Sequence, residues 1–229
     1  MKRFWKDAEV VEDSGFGIAL DGRRVKTPAR ADLAVPTRAL AEAMAGEWRE
    51  AGEAIDPRVM PLTGLANAAI DRVEPDQEEF AAGLAKYGEA DLFCYRAESP
   101  VILAERQERE WGPLLAWARR RYDVDFCVTA GTIHVPQPQA TVERLAHAVA
   151  ALDPFRLAGL WPLVTIGGSL VAALAVAEEA ITADGAWEAV SVDERWQLEQ
   201  WGADAEAEAA LANRRRDFLA AARFLELLR

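Results

Sequence analysis

Tryptophans and carboxylates crowd the stretch AWEAVSVDERWQLEQWGAD at residues 186–204, and two kinds of chemistry use such residues. Paired acids can transfer protons, and acids beside large apolar rings can grip a basic, apolar surface on another protein. Adjacent acids such as Asp193 and Glu194 point in different directions on a helix, as do Glu89 and Asp91 within a few residues, so a surface or cap role is expected for them. The two histidines, His134 and His147, read as structural. Ser169 follows Gly167-Gly168 but lacks the second glycine of a nucleophile elbow. The sequence has no phosphate-cradling glycine loop ending in Gly-Lys-Ser or Gly-Lys-Thr, no G-x-G-x-x-G, no H-E-x-x-H and no paired C-x-x-C,. We therefore expect no catalytic residue, metal, cofactor or small-molecule substrate; the chemistry left is binding.

The 186–204 stretch needs a helix to present it. Ser191 stands three residues before Glu194, the spacing of a reciprocal cap. At 100° per residue, Val192 and Trp196 share one side, and Glu194, Leu198 and Trp201 roughly the opposite one. Glu194 then either completes the cap or awaits a basic partner from outside. Asp193, Gln197, Gln200 and Asp204 form a polar stripe, and Trp196 and Trp201 are either core residues or interface anchors. Between Glu178 and Glu208 ten acids face one base, Arg195, a field expected to draw in a cationic surface and to repel nucleic acid.

At 229 residues the chain can bury one sizeable core or divide into a small and a larger domain. Its formal charge of −12 is uneven: residues 1–30 hold seven bases and five acids, net +2, leaving −14 for the rest. Cys94 and Cys127 have no metal-ligand spacing and read as core thiols in a reducing compartment. The start, MKRFWKDAEVVED, lacks a signal-peptide apolar stretch and carries acids foreign to a transit peptide, so a bacterial cytoplasmic location is expected. Leu157–Ala177 carries no charge and is long enough to span a bilayer. Pro162, Gly167-Gly168 and the following Glu178-Glu179 argue instead for two core helices meeting at a Gly-Gly turn, the second, Ser169–Ile181, being central.

The first third reads as strands. Asp21-Gly22 between Phe16–Leu20 and Arg23–Thr27 predicts a type I′ hairpin, a turn at Asp13-Ser14-Gly15 adds a strand before it, and Asp32–Val35 is a further short strand. Helices follow: Thr37 capping Arg38–Ala51, Thr63 capping Gly64–Arg72, Glu78–Tyr87, a pair from Val101–Tyr122 broken at Pro113, Thr141–Leu152, the two core helices, the tryptophan helix, and a last helix from Asp204. That last helix carries an apolar stripe of Leu211, Phe218, Ala222 and Leu225. Phe126–Val135 reads as a lone hairpin split at Ala130-Gly131. The expected class is α+β: a β-rich domain at 1–36 followed by a mainly helical domain at 37–229.

Several phrases carry a family resemblance: RFWK at 3–6, LDGRRVKTPA at 20–29, VPT at 35–37, LAEAMAGEW at 40–48, MPLTGLANAAID at 60–71, YGEADLFCYR at 87–96, WGPLLAW at 111–117 and DERWQLEQWGADAEA at 193–207. In these, and in their order, the chain resembles the assembly chaperones of the F-type ATP synthase that bind its alpha subunit, found in mitochondria and alpha-proteobacteria. The resemblance does not extend to the targeting extension of the mitochondrial members, which leads us to expect a bacterial source. The resemblance implies a non-enzymatic factor that holds the free alpha subunit until beta subunits arrive, acting in the bacterial cytoplasm or, in eukaryotic relatives, the mitochondrial matrix. It also implies a small β-rich domain on a larger helical one, as the strand-then-helix pattern does. The family's sensitive acid falls in the D-E-x-x-Q-x-x-x-W-G-x-D block, which places it at Glu194, with Asp193, Gln197 and Asp204 as lesser candidates. A general acidic adaptor and a carboxylate enzyme built on Glu194 and Asp204 are the competing readings.

Overall fold

The computed structural model describes residues 3–202 and 204–229; of the sequence readings, those touching Met1, Lys2 and Ala203 lie outside them. Strand β1 (Ala8–Glu12) pairs antiparallel with β2 (Phe16–Leu20), with Val10 opposite Ile18. Strands β3 (Arg23–Arg24) and β4 (Ala34–Val35) pair with opposite ends of β2. Asp21 and Gly22 both have positive φ, 47° and 77°, as a type I′ turn requires. Helix α1 (Arg38–Glu50) lies on β1 and β2 and buries Leu40 and Met44 completely. Trp5 and Trp48 close this layer edge to face, with ring centroids 5.2 Å apart. The Thr37 hydroxyl accepts from the Leu40 amide at 3.2 Å, capping α1 as expected, and donates to the Leu227 carbonyl at 2.5 Å. The start of the helical region is thereby tied to the chain's end.

Helix α2 (Pro61–Ala68) runs into a π-turn at Ala69–Val73, and α3 (Gln77–Ala85) follows. Thr63 does not cap a helix from Gly64: it sits inside α2, and the cap comes from α1. Glu47 accepts from the Leu62 amide at 2.7 Å and from the Thr63 amide and hydroxyl at 2.8 and 2.7 Å. A carboxylate lent by another helix leaves no local sequence signal. Burial pushes the Glu47 carboxyl above its usual range, against the pull of these donors,.

Strand β5 (Tyr95–Arg96) precedes α4 (Val101–Tyr122), which is one helix containing Pro113 rather than two broken there. Proline removes one backbone donor, but buried Trp111, Leu114, Leu115 and Ala118 on both sides of it hold the segment to the body. Residues 126–135 form no hairpin: β6 (Thr129–Ala130) pairs in parallel with β5, a partner more than thirty residues away that turn chemistry does not reveal. Cys94 is buried, which pushes its thiol up to about 12, whereas Cys127 is exposed and not a core thiol.

Helices α5 (Gln139–Ala150), α6 (Pro154–Gly167) and α7 (Leu170–Ala177) complete the interior. Gly168 turns the chain with φ 70°, and buried Ser169 caps α7 through the Ala172 amide at 3.0 Å. Seven consecutive residues of α7, Leu170–Val176, are buried. The uncharged run is therefore two core helices, and no helix of the described residues is long and apolar enough to cross a membrane. Helices α8 (Ala183–Val190), α9 (Val192–Trp201) and α10 (Ala205–Glu226) follow. α7 touches α4, α6, α8 and α10 and is central, while α10 crosses α6 so closely that a Cβ on Gly159 would lie 2.6 Å from Leu225. The class is α+β, a small sheet region followed by a mainly helical body, as the sequence pattern predicts.

Candidate partner-binding site

Helix α9 differs from its neighbours in how it is held. Of its residues only Val192 is fully buried, and polar links fix it to the body. Gln107 on α4 donates to Asp193 at 2.7 Å, Arg106 pairs with Glu199 at 2.7 Å, and Arg214 on α10 donates to Glu194 at 2.7 Å. Arg195 pairs with Glu188 at 2.5 Å. A helix with so little apolar burial opens at low cost. In native-state hydrogen exchange its amides should be less protected than those of α7 by roughly a hundredfold or more; equal protection would show that α9 is part of the rigid core.

The reciprocal cap does not form. The Ser191 hydroxyl donates back to the Trp187 carbonyl at 2.6 Å, and its backbone almost joins α8 to α9. With no free helix start to cap, Glu194 turns to α10, so its basic partner comes from within the chain. Arg214 engages only Oε1 of Glu194 and spends its other nitrogen on the Ile166 carbonyl at 2.9 Å. The pair is partly open to solvent.

The acidic field is also less single-signed than its window suggests. Among the described residues, six of its ten acids pair with arginine: Glu178, Glu179, Asp184, Glu188, Glu194 and Glu199. Five of these six arginines come from outside the window. Asp204 caps α10 by accepting from the Glu206 and Ala207 amides at 2.9 and 2.8 Å. Asp193 meets the Gln107 amide and, among the described residues, no cation. Burial is the largest cause holding its carboxyl above the usual range, against the pull of Gln107, and the nearby Glu194 charge adds to the rise.

Asp193, Trp196, Gln197 and Trp201 line one groove. The groove brings Trp196 and Trp201 together rather than on opposite sides, because at 100° steps both lie within about a right angle of Asp193. Its other wall is Tyr95–Pro100 and Gly131–Ile133, and its volume is about 960 Å³. Trp201 is 79% exposed and Ile133 80%; Trp196 is half-buried and Gln197 exposed. Sequence reasoning missed Ile133, Glu98 and Gln107, since only the β5–β6 pairing and the α4–α9 contact bring them to α9.

The other chemical candidates do not line this groove. His134 and His147 are exposed, and His134 Nδ1 is 3.1 Å from the Tyr95 hydroxyl. Asp91 is fully buried and accepts from the Phe93 and Val171 amides at 3.0 and 2.9 Å, so it caps two helical starts. Among the described residues no cluster of three or more histidine, cysteine or acidic side chains could hold a metal ion.

The sheet-plus-helix body has the fold of solved Atp12 structures. The chain superposes on Atp12 from Paracoccus denitrificans with a TM-score of 0.94 and 42% identity, over 100% of this chain and 98% of that one. A mutant of P. denitrificans Atp12p gives the same TM-score at 41% identity. The mitochondrial protein atp12 of Schizosaccharomyces pombe is 26% identical over 214 residues, covering 88% of this chain and 74% of that protein. The model of the ATP12 chaperone protein family matches residues 2–119. The chain belongs to the ATP12 chaperone family, the ATP synthase assembly chaperones that its sequence phrases resemble.

Proposed function

We propose that the chain binds the free alpha subunit of the F-type ATP synthase and keeps it from aggregating until beta subunits bind. An unassembled subunit exposes an apolar interface that aggregates if left bare. The observation that carries the reading is Trp201, a large aromatic side chain left 79% exposed at the end of α9, in one groove with a carboxylate that has no cationic partner among the described residues. Exposed aromatics in a groove are the residues that dominate protein interfaces. In this reading Glu194 and Asp193 meet basic groups, Trp201 and Trp196 supply apolar anchors, and Gln197 and Asp204 contribute at the rim. The 1–36 region is a sheet domain that braces the 37–229 helical domain presenting the site. The factor works without catalysis, in the cytoplasm of a bacterium. The internal pairing of six acids speaks against an adaptor for many basic partners, and the separate duties of Glu194 and Asp204 speak against a carboxylate enzyme.

Co-purification with the host's own ATP synthase subunits tests this reading. Recovery of the alpha subunit as the dominant partner supports it, and recovery of many unrelated basic proteins overturns it. Rates test the mechanism. The unneutralised acids act over roughly 8 Å at physiological ionic strength, so association should slow with added salt while dissociation depends mainly on desolvated contacts. An association rate flat in salt would remove long-range attraction from the mechanism.

A further inference from the structure

Every charged group facing the groove of α9 has a partner except on one side of the balance. Arg96 is tied to Glu108 at 2.9 Å and lies over the Trp111 ring at 5.0 Å. Asp193 and Glu98 line the groove, and among the described residues neither pairs with a cation. Asp193 is held by Gln107, itself 2% exposed, whose carbonyl is committed to the Ala97 amide at 2.7 Å. The carboxylate is thus fixed in position, partly desolvated and uncompensated. Trp196 lies one turn along the same helix, Trp201 lines the groove at the helix end, and Ile133 stands on the opposite wall.

We infer that this groove receives an arginine side chain from the bound protein, with its guanidinium on Asp193, its plane against the Trp196 ring one turn along α9 and apolar neighbours toward Trp201 and Ile133. For its protein partner this inference rests on the alpha-subunit reading; the groove's chemistry does not. An incoming cation supplies the charge that the site lacks, and arginine matches the site better than lysine. Its planar fork meets a carboxylate and neighbouring amide oxygens together, and it stacks on aromatic faces. Glu98 on the far wall favours the same sign. An acidic or purely apolar segment would leave Asp193 buried without a counter-charge, which is costly.

The test uses the full-length protein and two probes. Three acetylated, amidated tripeptides, Leu-Arg-Leu and its citrulline and lysine counterparts, are titrated while the tryptophan indole N–H resonances are followed. The arginine peptide should shift two indole resonances that disappear in Trp196→Phe and Trp201→Phe, respectively. The citrulline peptide, of like shape without the charge, should not shift them, and lysine should do so at least several-fold more weakly. In Asp193→Asn, which keeps an acceptor for Gln107, the arginine response should be lost. Equal responses to arginine and citrulline, or to arginine and lysine, would overturn the inference, as would an unchanged response in Asp193→Asn. The second probe is the purified alpha subunit, whose binding should weaken by roughly 30-fold or more in Asp193→Asn. If the peptides respond as stated but the alpha subunit does not bind the wild type, the arginine groove stands and the partner reading fails. If the alpha subunit binds wild type and Asp193→Asn equally, the partner reading stands and the groove's role in it is overturned.

Discussion

Glu194→Lys is expected to abolish capture of the alpha subunit while leaving a folded chain. The wild-type carboxylate meets Arg214 across a partly exposed contact between α9 and α10, where an ion pair contributes at most about 1 kcal/mol. Lysine opposite Arg214 adds a repulsion of similar size, so the melting temperature should fall by only a few degrees. Reversing a charge at a desolvated protein contact costs about 2–5 kcal/mol of affinity, or roughly 30- to several-thousand-fold. The double variant Glu194→Lys/Arg214→Glu separates the two roles because it restores the internal pair with its signs exchanged. It should recover stability but not binding. If it recovers both, Glu194 acts only by seating α9.

Asp91→Ala should instead damage the fold. The side chain is completely buried and accepts from the amides that begin the helical turn at Leu92–Cys94 and helix α7. Its removal orphans these donors in the core and opens a cavity, a loss on the order of 3 kcal/mol. For a chain of this size that is roughly 10 °C in melting temperature. Burial raises the Asp91 carboxyl from 3.8 to about 6, against the pull of the backbone donors. Because the folded value lies above the unfolded one, the folded protein binds more protons between them, and the contribution of Asp91 falls as pH rises through that window. The gap between wild type and Asp91→Ala should therefore be widest below the unfolded value of 3.8 and narrow by on the order of 2 kcal/mol between pH 4 and pH 7,. Denaturant titrations at the two pH values measure this. A gap that widens with pH would mean that the donors outweigh burial.

Elements set by short-range chemistry were legible in the sequence: the Asp21-Gly22 hairpin, the Thr37 cap, the start of the last helix at Asp204, and the Gly168 turn between the core helices. Readings failed where a distant residue supplied what local pattern seemed to supply. Glu47 caps α2 in place of Thr63, β5 pairs β6 in place of a hairpin, and Arg214 takes Glu194 in place of the Ser191 cap. The same cause blurred the site. Counting charges between Glu178 and Glu208 made one acidic face, because arginines at 106, 121, 214, 215 and 229 lie outside that window. Of the four acids then left without an arginine among the described residues, only Asp193 lines the groove, and no periodicity could have shown that.

The side-by-side binding isotherm of purified alpha subunit with wild type and Trp201→Ala tests the central claim most directly. The exposed ring does little for the fold, so the variant should melt within about 2 °C of wild type. If the uncovered face of α9 is where the chaperone holds its subunit, affinity should drop by about 2 kcal/mol or more, roughly 30-fold, mostly through faster dissociation. An isotherm that superposes on the wild type, from a variant equally well folded, would contradict the account.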